Sequence, residues 1–117
     1  MFSLVFPGQG SQTIGMGKDF FESYDLVKDL FKQADDSLGA SLSKIILEGP
    51  KDELDLTINT QPAIFLISYS IFQVMKKEFN MDLDNAKYFA GHSLGEYSAL
   101  CAANYLDFSD TIKLLKI

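Results

Sequence analysis

The sequence predicts an α/β protein built on a parallel sheet, and three observations carry that expectation. Two short runs, "FSLVF" at residues 2–6 and "KYFAG" at 87–91, have the apolar and β-favouring composition of buried strands. The long interval between them carries helical periodicity, as the crossover between two parallel strands requires. Directly after the second run comes a serine set between glycines and followed by good helix formers, "GHSLGEYSAL" at 91–100. A small, mostly helical domain is the alternative, since two strands make a poor sheet.

The elements follow in chain order. "FSLVF" is closed by Pro7 and Gly8 and reads as a strand covered on both faces. The glycine-rich segment "PGQGSQTIGMG" after it reads as a loop. From about Tyr24 to Leu38, Val27, Leu30, Phe31, Ala34 and Leu38 make a helical stripe, which Gly39 closes as a C-terminal cap. A short helix is expected over Ser41–Leu47, a break at "EGP", and a further turn over Asp52–Leu56. Thr60 is expected to cap the next helix with Pro62 in its first turn. Ile64, Ile67, Ile71, Val74 and Met75 cover so much of that helix that it must pack centrally. After the second strand a helix is expected from about Leu94 to Asn104, then one opened by Asp107 and Asp110 and packed through Phe108, Ile112 and Leu115. No capping residue closes this last pattern before Ile117, so the chain reads as part of a larger domain.

Composition narrows the function. A chain of 117 residues with 47% hydrophobic residues suits one domain at most. A net charge of −6 and the absence of any basic stripe argue against nucleic acid. All ten basic residues are lysine, so no arginine fork is present to grip a carboxylate or phosphate. Cys101 is the only cysteine and is expected as a small buried hydrophobe; no disulfide framework or metal-ligand spacing exists. Without a signal-peptide pattern or a span of about 20 apolar residues, the expected location is the cytoplasm, away from membranes.

"GHSLG", Gly91 to Gly95, fits G-x-S-x-G between a strand and a helix, the context of a nucleophile elbow. A serine raised on so sharp a turn brings the residues two before and two after it close together, and only glycine at 91 and 95 leaves room. The helix that follows aims its free N–H groups at Ser93, so the Leu94 N–H is placed to stabilise an oxyanion. An ordinary strand-to-helix turn remains the alternative. "GQGSQ" at 8–12 fails the nucleotide-loop spacings, because Thr13 and Gln12 stand where glycines would be needed. It suits a loop beside the serine in which a backbone N–H such as that of Gln9 completes the oxyanion hole. His92 is the sole histidine, and next to Ser93 on a sharp turn it is badly placed as the base. Glu96 and Asp107 read as solvated or capping groups.

With these residues in view, the sequence resembles the malonyl-CoA:acyl carrier protein transacylases of fatty-acid synthesis and the related acyltransferase domains of polyketide synthases. The resemblance spans nearly the whole chain and rests on "FPGQGSQ" at the N-terminus, "TQPAIF" at 60–65 and "GHSLGEYSAL" at 91–100, in family order. It implies that residues 1–117 are part of an α/β-hydrolase-like large subdomain, cut before an inserted ferredoxin-like subdomain. It also implies a ping-pong reaction in which Ser93 takes malonyl from coenzyme A and passes it to acyl carrier protein. Gln9 and Leu94 match the family's oxyanion-hole residues, and no metal or redox cofactor is implied. Family members are two to three times longer, with the catalytic histidine and the malonyl-binding arginine beyond the region matched here, so the chain alone is expected to be inactive. A serine esterase or thioesterase with the same elbow, and a non-catalytic fragment or binding module, are the competing readings; "FPGQGSQ" in place of an HGGG-type loop favours the transferase.

Overall fold

The computed structural model of the chain describes residues 3–8, 10, 12–81, 88–91 and 95–116. Strand β1, Ser3–Phe6, and strand β2, Tyr88–Gly91, pair in parallel with Ser3 opposite Tyr88 and Phe6 opposite Gly91. Between them run α1 (Lys18–Ser23), α2 (Asp25–Leu38), α3 (Leu42–Glu48), α4 (Lys51–Asp55) and α5 (Thr57–Lys77). After β2 come α6 (Gly95–Ala102) and α7 (Phe108–Lys116). The described residues are therefore mostly helical around a parallel strand pair, and the α/β expectation and the helix-rich one are both visible in them.

The core forms where the helical stripes meet. Val27, Leu30, Phe31 and Ala34 of α2 are buried, as their spacing requires, against α5 and α7. Gly39 ends α2 in the left-handed region at φ 64°, and its N–H donates to the Asp35 carbonyl at 2.9 Å. The Asp35 carboxylate accepts from the Ser43 N–H at 3.0 Å and so satisfies the start of α3 from outside that helix. The central helix α5 is buried on nearly every side between Asn59 and Val74. Phe108 of α7 stacks on Phe65 and Tyr69 of α5, with ring centroids 5.4 and 5.1 Å apart.

Four expectations need correction. The entry to α5 lies earlier: the helix starts at Thr57, so Thr60 is inside it and Pro62 sits in the second turn. Only Leu56 separates α4 from α5, and Thr60 uses its hydroxyl to bond back to the Leu54 and Leu56 carbonyls instead of capping forward. Asn59 Nδ2 likewise donates to the Glu53 carbonyl at 2.8 Å, which locks the two helices together. Second, β1 is not covered on both faces: Phe6 is buried but Val5 is 77% exposed, because α5 and α6 cover one face of the pair and nothing described covers the other. Third, α1 was not expected, since Lys18–Ser23 is too short for its apolar pair Phe20 and Phe21 to register as a helical stripe. Fourth, α6 ends at Ala102, ahead of Asn104, which turns the chain at φ 67°. Among the described residues no helix is long and apolar enough to cross a membrane.

Candidate active site

The parallel register ends both strands level, Phe6 beside Gly91, so the loops after β1 and β2 leave from the same carboxyl edge of the sheet. That edge is where open α/β sheets place their ligand sites. The connection from β2 to α6 is three residues, 92–94, which joins the last strand residue Gly91 to the first helical residue Gly95. Gly95 is buried, and a methyl group on it would lie 2.9 Å from the Phe6 carbonyl carbon and 3.1 Å from the Pro7 carbonyl oxygen, closer still to the Phe6 oxygen. The glycine at 95 is thus needed for the first turn of α6 to lie directly on the end of β1. This contact joins "FPGQGSQ" and "GHSLG", the two motifs lying farthest apart in the sequence.

The expected nucleophile Ser93, the expected oxyanion donors Gln9 and Leu94, and His92 lie outside the described residues; of the expected site residues, Gly91 and Gly95 are described. The Glu96 side chain also lies outside them. Asp107 is a cap, as expected: its carboxylate accepts from the Asp110 N–H at 3.2 Å and its carbonyl accepts from the Thr111 hydroxyl at 2.6 Å. Cys101 is buried, with its thiol pushed up to about 12 first by burial and then by the nearby Asp107 carboxylate. Such a thiol stays protonated and unreactive at neutral pH. Among the described residues no group of His, Cys, Asp or Glu is arranged to hold a metal ion.

Sequence reasoning missed how the first loop is fastened. The Gly10 N–H donates to Gln12 Oε1 at 2.8 Å, and Gln12 Nε2 donates to Asp55 Oδ1 at 3.1 Å. Asp55 Oδ1 also accepts from the Lys51 ammonium, one turn earlier on α4. The Lys51 bond first, and the Gln12 bond second, hold the Asp55 carboxyl below its usual value. Nothing in the sequence pairs residue 12 with residue 55, because the link depends on where α4 docks. Beside the same edge an apolar groove of about 410 Å³ opens between β1 with Pro7 on one wall and Ile64, Ile67, Ile71 and Met75 of α5 on the other. "TQPAIF" thereby lies at the start of the helix that flanks the edge.

Comparison with known proteins agrees with this geometry. The family model for the acyl transferase domain matches residues 3–116. The malonyl CoA-acyl carrier protein transacylase of Haemophilus influenzae is 48% identical over 116 residues, covering 99% of this chain and 36% of that protein. The corresponding protein of Bacillus subtilis strain 168 is 47% identical, covering 94% of this chain and 33% of that protein. Among solved structures, the acyl-carrier-protein-S-malonyltransferase of Bartonella henselae superposes with a TM-score of 0.92 at 46% identity, over 99% of this chain and 37% of that one. A malonyl-transacylase in complex with a type II polyketide acyl carrier protein superposes with a TM-score of 0.91 at 41% identity, over 98% of this chain and 36% of that one. The chain therefore spans about a third of the length of the relatives it matches. A family model that matches nearly every residue, and an α/β backbone shared with solved acyltransferases, lead to one conclusion: this chain belongs to the acyl transferase domain family.

Proposed function

We propose that this chain carries the nucleophile side of a malonyl-CoA:acyl carrier protein transacylase, with Ser93 as the acyl-accepting residue. The observation that supports this most is the seating of Gly95 on the Phe6 and Pro7 carbonyls, which brings the last residue of "GHSLG" onto the first residues of "FPGQGSQ" at one sheet edge. In this reading Ser93 Oγ attacks the malonyl thioester carbonyl, giving up its proton to a base, and the negative charge moves onto the carbonyl oxygen. The backbone N–H groups of Gln9 and Leu94 hold that oxyanion. Collapse breaks the carbon–sulfur bond and expels coenzyme A, which leaves as the thiol once protonated. The phosphopantetheine thiol of acyl carrier protein then attacks the seryl ester, and the same oxyanion site serves the second half.

The same reading makes residues 1–117 part of an α/β-hydrolase-like large subdomain, with a ferredoxin-like subdomain supplied by the remaining length of the relatives. The base and the cation for the malonyl carboxylate belong there too, since this chain has no arginine and its one histidine adjoins the nucleophile. Coenzyme A enters as a substrate thioester, and no metal or redox group takes part in the steps above.

The test is a hybrid in which this chain replaces the matching segment of the Haemophilus influenzae protein, to which it is 48% identical. Malonyl-CoA is expected to label the hybrid covalently on Ser93, acyl carrier protein is expected to discharge the label, and Ser93→Ala is expected to abolish it. Labelling that survives Ser93→Ala moves the nucleophile elsewhere. Release of free malonate with no malonyl-carrier product makes the protein a hydrolase instead.

A further inference from the structure

We propose that Gln12 and Asp55 are positioning residues for the oxyanion side of the site: the Gln12 side-chain amide clamps the Gly10 N–H, and Asp55 holds that amide in the orientation that does so. The proposal rests on the functional reading above, in which the Gln9 N–H is an oxyanion donor.

The need for a clamp follows from the loop's composition. Gly8 and Gly10 flank Gln9, and Gly10 stands at φ 108°, a conformation that side-chain-bearing residues rarely adopt. A backbone so permissive samples many directions unless something fixes it, whereas an oxyanion donor is effective only when it is already aimed before charge develops. The Gly10 N–H belongs to the peptide unit that begins at Gln9, and that unit is planar, so a bond to this N–H constrains the chain immediately after the proposed donor.

The Gln12 amide has one orientation that satisfies both neighbours. Its oxygen must face the Gly10 N–H, a donor, and its nitrogen must face the Asp55 carboxylate, an acceptor. Asp55 therefore selects the amide orientation. Asp55 is itself fixed at two points: Leu54 beside it is fully buried in the core, and Lys51 pairs with it from one turn earlier. Side chains of both Lys51 and Asp55 are about half exposed, at 50% and 46%, so their pairing adds little to global stability. Its effect is directional: a chain of bonds runs from a core-anchored helix to the loop.

The experiment has two readouts. In the hybrid, amide hydrogen exchange at Gly10 is expected to accelerate about 3–10-fold in Gln12→Ala, the range one net hydrogen bond supports. Asp55→Ala is expected to accelerate it less. Asp55→Asn keeps an acceptor oxygen and is expected to stay near the parent rate. The Gln12→Ala/Asp55→Ala double variant is expected to match Gln12→Ala alone, because Asp55 acts through Gln12. In the hybrid, the same order is expected in the acylation kcat, with the KM for malonyl-CoA unchanged, as befits a donor used in the transition state. Unaltered Gly10 exchange in Gln12→Ala overturns the proposal, as does additivity in the double variant. Normal acylation by a hybrid whose Gly10 exchange is accelerated overturns it while leaving the Ser93 reading intact. A parent hybrid that Ser93 never labels overturns the functional reading and this proposal with it.

Discussion

Replacing Gly95 by alanine adds a single methyl group where the first turn of α6 meets the end of β1. That methyl would lie 2.9 Å from the Phe6 carbonyl carbon and 3.1 Å from the Pro7 carbonyl oxygen, where ordinary contacts between carbon atoms begin at about 3.5 Å. The obstructing atoms are all backbone, so no rotamer change relieves the clash, and α6 must move away from β1 by on the order of 1 Å. Overpacking of this kind costs about 1–3 kcal/mol. At about 4 °C per kcal/mol for a domain of this size, the midpoint of thermal unfolding should fall by roughly 4–12 °C. A displacement of about 1 Å at a reacting centre is worth about 100-fold in rate, so acylation of the hybrid should fall by that order, and Gly95→Val should be worse on both counts. Circular dichroism melts of the chain and timed malonyl labelling of the hybrid measure the two effects. Gly39→Ala is the control: it meets open space at φ 64°, so it should lower stability by about 1 kcal/mol and leave labelling alone. A Gly95→Ala variant with parental melting and labelling would refute the claim that α6 is seated on the end of β1.

The buried thiol and its neighbours yield two further tests. Cys101, raised from an ordinary 9.0 to about 12, should react with a thiol reagent at pH 8 at least about 100-fold more slowly in the native chain than in the denatured one. Because its folded value lies above its unfolded one, its contribution to stability is fully present below pH 9.0 and is lost as pH rises through about 12. Burial raises Tyr69 in the same direction, so denaturant midpoints should decline across this alkaline range, and less steeply in Cys101→Ala. Asp107→Ala should lower stability by about 1 kcal/mol through loss of the α7 cap, measured by urea unfolding. Asp107→Asn should retain the cap, yet by removing a negative charge it should lower the pH at which the Cys101 thiolate appears in ultraviolet absorbance.

What the sequence made legible was whatever depends on local pattern. The α2 stripe, the Gly39 cap, the buried α5 and the Asp107 cap each follow from residues within a turn or two of one another. The start of α5 was misread because Thr60 and Pro62 look like an entry signal, whereas the tertiary bonds of Asn59 and Thr60 to α4 carry the helix back to Thr57. Exposure of Val5 was misread because an apolar strand gives no sign of which of its faces will be covered. At the site, Gly95 was legible as a position without room for a side chain, but the atoms that occupy that room belong to Phe6 and Pro7. The Gln12 to Asp55 link was illegible for the same reason, since it exists only once α4 has docked.

The pairing of β1 with β2 also bears on when Gly95 finds its seat as the chain folds. Helix α2 packs on α3, and α4 on α5, across short connections, whereas Phe6 and Gly91 come from distant parts of the sequence. Long-range parallel pairing is met late, because loop closure is costly before its contacts begin to compensate. Helices α2 to α5 are thus able to form and begin to pack while Gly95 still has no β1 to rest on. A destabilised variant should accordingly lose the seat of Gly95 on the Phe6 and Pro7 carbonyls while most of its helix remains.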